Sequence, residues 1–321
     1  MSVKKIGVIT SGGDAPGMNA AVRAVVRQGI CLGYEMIGVR RGFKGLLDDD
    51  FITLTHRSVS GIINIGGTIL HTGRCPETKT AAGLNRAVKT IKELCISGLI
   101  IIGGDGSLAA GNALSKHGVK VVNIPASIDN DIFGTDETIG YDTALNTAVK
   151  AIDNIRDTAA SHDRIFVVEI MGREHGFLTV DVGLAAGCEY IIVPEMKPNI
   201  KKIAEELKEG KSRGKTSEII AFAEGCGSSA EFAKDITKLT GFDVRVSNLG
   251  YIQRGGTPTA RTRILASKFG HIAMDCFNKG KVNILVGIKD GQLSTTPIDV
   301  ALKQTKKFDT QTVKVLTNLS V

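Results

Sequence analysis

The chain has no tryptophan, and aromatic residues make up only 5% of its 321 positions. Stacking platforms for unpaired nucleic-acid bases are therefore scarce. No apolar run approaches the roughly 20 residues that cross a bilayer. The N-terminal MSVKKIGVIT passes from two lysines into a short strand rather than into a secretory segment. These features predict a soluble, cytoplasmic protein with no membrane partner. Cysteine is sparse and scattered. Cys31, Cys75, Cys95, Cys188, Cys226 and Cys276 form no CxxC pair, which argues against structural zinc or a disulfide framework and for reduced thiols. Net charge is +7 and the pI is near 9, yet Lys and Arg never run beyond a pair. A basic stripe for nucleic acid is missing, so no nucleic-acid partner is expected. Small polyanions, drawn to arginines in pockets, are the better partner class.

What the chain does have is a 42% hydrophobic content spread over a length that suits two domains of roughly 150 residues each. Short Val/Ile-rich runs at 5–10, 35–39, 99–102, 119–124, 165–170, 190–193, 218–223, 244–248 and 282–286 read as strands. Between them, residues 141–161 place Leu145, Ala148, Ile152, Ile155 and Ala159 on one helical face, and weaker helical patterns cover 20–32 and 260–279. Strands alternating with helices predict an α/β fold with mostly parallel sheets. A domain crossing is expected near residue 140, after GTDETIG.

Two segments that each follow an apolar run carry the chemistry: GGDGS at 103–107 and PASIDND at 125–131. Glycines 103, 104 and 106 let backbone approach a polyphosphate, the helix start near Ser107 supplies free N–H groups, and Asp105 suits a magnesium ion held against phosphate oxygens. The first strand ends in a second glycine-rich loop, TSGGDAPGMN at 10–19, in which Asn19 is expected to cap the following helix. Phosphoryl transfer needs an oriented hydroxyl, an acceptor for its proton and positive charge over the moving phosphate. Asp129 and Asp131, two apart, supply the carboxylates: Asp129 as base, Asp131 adjusting charge or contacting metal or sugar. The Ser127 hydroxyl suits a phosphate oxygen.

The ordered series SGGDAPGMN, GGDGS, PASIDND, MGREHG, AEG and QRGG, over nearly the whole chain, resembles bacterial ATP-dependent 6-phosphofructokinases. The resemblance implies transfer of the ATP γ-phosphoryl to the 1-hydroxyl of fructose 6-phosphate in glycolysis, with Mg2+, in a cytoplasmic homotetramer whose sites are shared between subunits. It also implies two Rossmann-like three-layer domains: 1–140 plus 253–303 for ATP, and 141–252 plus 304–321 for the sugar phosphate. By the same resemblance Gly12, Arg74, Ser127, Asp129 and Arg173 serve catalysis. Gly12, Phe43, Arg74, Cys75, Gly104, Asp105, Gly106 and Ser107 line the nucleotide site. Ser127, Asp129, Asp131, Arg164, Met171, Gly172, Arg173, Glu224, Arg245, Tyr251 and Arg254 hold the sugar phosphate, with Arg164 and Arg245 reaching a neighbouring subunit's site.

The chain departs from that pattern at several places. Ser127 stands where threonine is usual and Tyr251 where histidine is usual, which removes a positive charge from the 6-phosphate site. An effector site for ADP or phosphoenolpyruvate is implied at Arg23, Arg27, Arg156, Glu189, Arg213 and Lys215. His56, Gly61 and Thr216 replace its expected arginine, aspartate and lysine, so blunted effector control is expected. Pyrophosphate-dependent relatives carry aspartate after GGD and a lysine in the catalytic loop. Gly106 and Ala126 stand there instead, which favours ATP. The alternatives are a pyrophosphate-dependent enzyme and a non-catalytic metabolite-binding relative.

Overall fold

The structure, a computed structural model, describes residues 3–73 and 75–319. The chain opens with β1 (Lys5–Ser11), α1 (Met18–Cys31), β2 (Glu35–Val39), a single-turn α2 (Lys44–Leu47) and β3 (Phe51–Leu54). After a long connection come α3 (Ala81–Glu93), β4 (Ile96–Gly103), α4 (Asp105–Lys116), β5 (Val121–Ser127), the two-residue β6 (Ile139–Gly140) and α5 (Tyr141–His162). Next are β7 (Ile165–Ile170), α6 (Phe177–Ala185), β8 (Tyr190–Ile192), α7 (Ile200–Ser212), β9 (Glu218–Ala223), α8 (Ser229–Thr240) and β10 (Val244–Asn248). The chain finishes with α9 (Ala260–Asn278), β11 (Ile284–Lys289), β12 (Gln292–Pro297), α10 (Ile298–Lys303) and α11 (Thr310–Leu319). Two compact units result: residues up to Thr143 with Arg254–Lys306, and Ala144–Gln253 with the chain from Lys307 onward.

The first unit is built on a sheet in the order β12-β11-β5-β4-β1-β2-β3, with β6 pairing to the end of β5. Its central strands run parallel and are buried on both faces, which is why β4 reads ISGLIIIG without alternation. On one face α1 and α9 pack closely. A Cβ on Gly270 of α9 would come 2.6 Å from the Cβ of Ala24 and 2.9 Å from the carbonyl of Ala21, so glycine there sets the approach of the two helices. On the other face Ile9, Leu99 and Ile101 meet Ala87 and Ile91 of α3 and Leu108 and Leu114 of α4.

In the second unit, β10-β7-β9-β8 form a parallel four-stranded sheet. One face buries Ile165, Val167, Ile220 and Phe222 under Ile203 and Leu207 of α7 and Phe232 and Ile236 of α8. The Phe222 and Phe232 rings lie 5.3 Å apart at a tilt. The other face takes α6 and the C-terminal segment, with Phe308 against Phe177 at 5.8 Å and Val313 beside Val180, Val193 and Ala223. No helix among the described residues is long and apolar enough to cross a membrane.

Candidate active site

In the first unit the parallel register brings the loops that follow three strands to the same edge of the sheet. Ser11 of β1 pairs with Gly103 of β4, and Gly103 with Pro125 of β5, so the loops that follow leave side by side at the carboxyl ends of their strands. Open α/β sheets bind ligands at such edges. The contact is tight enough to dictate residue type. A Cβ on Gly103 would run into the Ser107 hydroxyl and the Ser11 carbonyl, and one on Gly12, whose φ is +84°, would come 3.3 Å from the same hydroxyl. Ser107 is 3% exposed, and its Oγ is buried without a hydrogen-bond partner. A buried hydroxyl between two glycine loops needs an acceptor, and a phosphate oxygen is one.

The α4 helix starts at Asp105 after Gly104, and no side chain caps it. Its first-turn amides therefore face the loop edge, where the helix dipole favours an anion. Among the described residues no three His, Cys, Asp or Glu side chains converge as a metal cage. A single exposed carboxylate at Asp105 suits Mg2+, which keeps most of its waters and takes one or two carboxylates together with substrate phosphates.

The 127–131 loop presents its two carboxylates differently. Asp129 is 5% exposed, whereas Asp131 is half-buried. The Asp129 N–H donates to the Ser127 hydroxyl at 3.1 Å. Ser127 lies beside Gly104, where an added Cβ would come 3.9 Å from its own. Arg254 reaches the first loop: its guanidinium pairs with the Asp14 carboxylate at 2.8 Å and occupies the space a side chain at Gly13 would fill.

Residues 65–73 are fastened to this edge. Asn19 does not cap α1, whose N-cap is Gly17 with no side-chain bond. Its amide instead donates to the carbonyls of Ile65 and Gly66 and accepts the N–H of Ile69 at 2.8 Å, because it points sideways into a neighbouring loop rather than back along its own helix. The Thr10 hydroxyl donates to the His71 carbonyl at 2.8 Å and that of Thr72 to the Gly12 carbonyl at 2.8 Å. Arg74 lies outside the described residues. Phe43 is 3% exposed in the core, and Cys75 packs against the same cluster, its thiol pushed up by burial and by Glu77.

In the second unit the MGREHG loop follows β7 and is held by Glu224, which follows β9. One Glu224 carboxylate oxygen accepts the N–H of Gly172 at 3.1 Å and of Arg173 at 2.7 Å. Arg173 adopts φ +53°, a left-handed conformation that a non-glycine residue holds only when its surroundings impose it. Gln253, fully buried, adds a second tie, accepting from Met171 N–H at 3.3 Å and donating to the Gly250 carbonyl at 3.1 Å. Sequence reading assigned no role to Gln253, Thr72 or Asn130. Gln253 and Asn130 lie inside quoted motifs, and their type, an amide able to bridge two backbone groups, was the available signal.

Arg164 and Arg245 are not brought to this loop. Arg164 precedes the first residue of β7, and Arg245 pairs with Phe166 near the same end, whereas Glu224 follows Ala223, the partner of Ile170. At about 3.3 Å per residue along the strand, the backbone of Arg164 lies roughly 20 Å from that of Glu224, and the backbone of Arg245 roughly 15 Å. The two arginines instead clamp Asp243, Arg164 at 2.8 Å and Arg245 at 2.9 Å, and hold its carboxyl below the usual range. Tyr251 is 78% exposed.

Of the residues expected at an effector site, Arg23 and Arg27 sit on α1 in the first unit, and Arg27 Nε is buried without a hydrogen-bond partner. In the second unit Arg156 donates to the carbonyls of Ala186 and Gly187 and pairs with Glu189 at 3.3 Å, while Arg213 pairs with Glu209. Lys215 lies 4.0 Å from Glu218. Burial pushes the Glu218 carboxyl up to about 7, with Lys215 opposing the rise and Glu189 adding to it. Below its ordinary value of 4.5 both folded and unfolded forms are protonated, and burying the neutral carboxyl costs less than burying the carboxylate. Between 4.5 and about 7 only the folded form keeps the proton, so stability falls as pH rises and levels off above about 7. Glu218→Gln is expected to flatten that fall and to raise the unfolding temperature more at about pH 8 than at about pH 5. Thermal melts at both pH values check it.

A family model described as phosphofructokinase matches residues 5–277. The ATP-dependent 6-phosphofructokinase of Shouchella clausii (strain KSM-K16) is 48% identical over 319 residues, 99% of this chain and 100% of that protein. The protein of the same name from Clostridioides difficile (strain 630) is also 48% identical, with the same coverage. Among solved structures, a phosphofructokinase of Pichia pastoris in the T-state superposes with a TM-score of 0.88 at 34% identity, over 100% of this chain and 37% of that longer one. The pyrophosphate-dependent phosphofructokinase of Marinobacter aquaeolei, 19% identical with a TM-score of 0.86 over 99% of this chain and 91% of its own, shares the fold.

Proposed function

Because the chain belongs to the phosphofructokinase family, we propose that it is an ATP-dependent 6-phosphofructokinase. It transfers the γ-phosphoryl of ATP to the 1-hydroxyl of fructose 6-phosphate, giving fructose 1,6-bisphosphate and ADP in glycolysis. The observation that carries this reading is the meeting of three loops, 11–17, 103–107 and 127–131, on one sheet edge, with Ser107 Oγ lacking an acceptor and Asp129 buried among them.

The unit that contains β1, β4 and β5 takes the nucleotide. Gly12, Gly104, Gly106 and Ser107 cradle its phosphates, Arg74 neutralises their charge, and Phe43 and Cys75 back the base. Asp105 holds Mg2+, which supplies positive charge beside the phosphates. Asp129 accepts the proton of the 1-hydroxyl, Ser127 donates to the moving phosphoryl group, and Asp131 bonds a sugar hydroxyl. In the other unit Met171, Gly172, Arg173 and Glu224 hold the sugar. Arg254, whose guanidinium pairs with Asp14 before ligand binds, and the exposed Tyr251 are assigned to the sugar's phosphate, and Arg173 also offsets charge in the transition state.

Assembly is part of the proposal. Arg164 and Arg245 face away from the Glu224 loop, an arrangement that supports their serving a neighbouring subunit's site in a homotetramer. The enzyme is cytoplasmic. Arg23, Arg27, Arg156, Glu189, Arg213 and Lys215 form a weakened effector site for ADP or phosphoenolpyruvate, because Arg156, Arg213 and Lys215 already have acidic neighbours and His56, Gly61 and Thr216 supply less charge.

ATP is the donor in this reading because the similar full-length proteins are ATP-dependent 6-phosphofructokinases and because Gly106 and Ala126 stand where pyrophosphate-dependent relatives carry an aspartate and a lysine. Initial rates with fructose 6-phosphate and Mg2+ are expected to be at least about 100-fold higher with ATP than with pyrophosphate. A coupled assay of fructose 1,6-bisphosphate measures the ratio.

A further inference from the structure

Between the two carboxylates of the 127–131 loop stands Asn130, which has no part in the mechanism above. It is 7% exposed and its φ is +54°, in the left-handed region where asparagine is among the few non-glycine residues that rest with modest strain. Its side chain spans the loop. Nδ2 donates to the carbonyl of Asp136 at 3.1 Å, and Oδ1 accepts the N–H of Thr138 at 3.1 Å. The Thr138 hydroxyl donates to the Ser127 carbonyl at 2.6 Å, and the Ser127 hydroxyl accepts the Asp129 N–H at 3.1 Å. The far side of this ring is anchored to the sheet, since Asp136 N–H donates to the carbonyl of Ile288 on β11 at 2.7 Å.

The ring bears on the direction of the two carboxylates. In an extended chain, side chains two apart point to the same side. One left-handed residue between them breaks that rule, and the two carboxylates sit in different surroundings, Asp129 5% exposed and Asp131 half-buried. A positioned base acts only within hydrogen-bond reach of its proton, and a misplacement of about 1 Å costs about 10²-fold.

We propose that Asn130 is a positioning residue for phosphoryl transfer: its left-handed backbone and its amide ties to Asp136 and Thr138 aim the Asp129 carboxylate. The proposal rests on Asp129 being the base.

Two substitutions separate backbone from amide. Asn130→Gly keeps the left-handed backbone free of strain and removes both ties. Asn130→Asp keeps an acceptor for Thr138 N–H and loses the donor to Asp136. Steady-state kinetics should show kcat lower by about 10²-fold in the glycine variant and about 10-fold in the aspartate variant, with both KM values within about threefold of the parent. Calorimetric binding of MgATP should be unchanged in both. A glycine variant with kcat within about threefold of the parent overturns the proposal, as does a loss that appears in KM alone. If the glycine variant does not fold, the aspartate variant decides by the same criterion. Asp129→Asn, assayed in parallel, separates the two readings. Retained activity there removes the base and the proposal with it, whereas an inactive Asp129→Asn beside a fully active Asn130→Gly overturns the positioning role alone.

Discussion

Asp129→Asn is expected to lower kcat by about 10²- to 10⁴-fold, the range a positioned general base supplies, while the KM for fructose 6-phosphate stays within about threefold. The amide keeps the size and one acceptor of the carboxylate but cannot take up a proton near neutral pH. A thermal melt of the variant beside the parent checks that the fold is kept. The N–H of Asp129 donates to the Ser127 hydroxyl, and that backbone contact does not depend on the side chain. Steady-state rates at saturating MgATP check the result. A kcat within about fivefold of the parent would move the base elsewhere.

Glu224→Ala should lower kcat/KM for fructose 6-phosphate by about 10²- to 10⁴-fold. The carboxylate accepts two backbone N–H groups, from Gly172 and Arg173, and holds Arg173 in its left-handed conformation. Hydrogen bonds to a charged group contribute about 1.5–3 kcal/mol each, so losing two removes about 3–6 kcal/mol, and each 1.4 kcal/mol is about tenfold. Glu224→Gln keeps an acceptor oxygen without the charge, so its loss should be about 10-fold. Saturation with fructose 6-phosphate in the three proteins separates the cases. Equal losses in Ala and Gln would show that the charge, not the acceptor geometry, is what the loop needs.

Most strand positions were legible from short Val/Ile-rich runs, including that of β10, an edge strand of the second sheet with no buried residue. Runs at 35–39, 165–170, 218–223 and 244–248 coincide with β2, β7, β9 and β10, and the helix at 141–161 lies within α5. The strands that escaped are at edges or very short. β12, QLSTTP, pairs antiparallel at the end of the first sheet and buries no residue fully, so it carries no apolar run. β3 is an antiparallel edge strand of four residues, and β6 has two. β4 begins at Ile96, earlier than expected, because Ser97 and Gly98 interrupt the apolar run that signals it.

At the site, glycine spacing and the paired aspartates were visible because they recur at strand ends in local sequence. Asn19 was read as a cap because its partners, Ile65, Gly66 and Ile69, are distant in sequence and local rules see only the helix it begins. The separation of Arg164 and Arg245 from Glu224 follows from strand register, which short motifs do not encode.

Phosphorus NMR of one reaction mixture tests the central claim most directly. With fructose 6-phosphate, Mg2+ and ATP, the spectrum should gain a sugar 1-phosphate resonance and ADP in equal amounts, and replacing ATP by pyrophosphate should leave the sugar unchanged over the same interval. A 1-phosphate formed as fast from pyrophosphate, or none formed from ATP, would contradict the account.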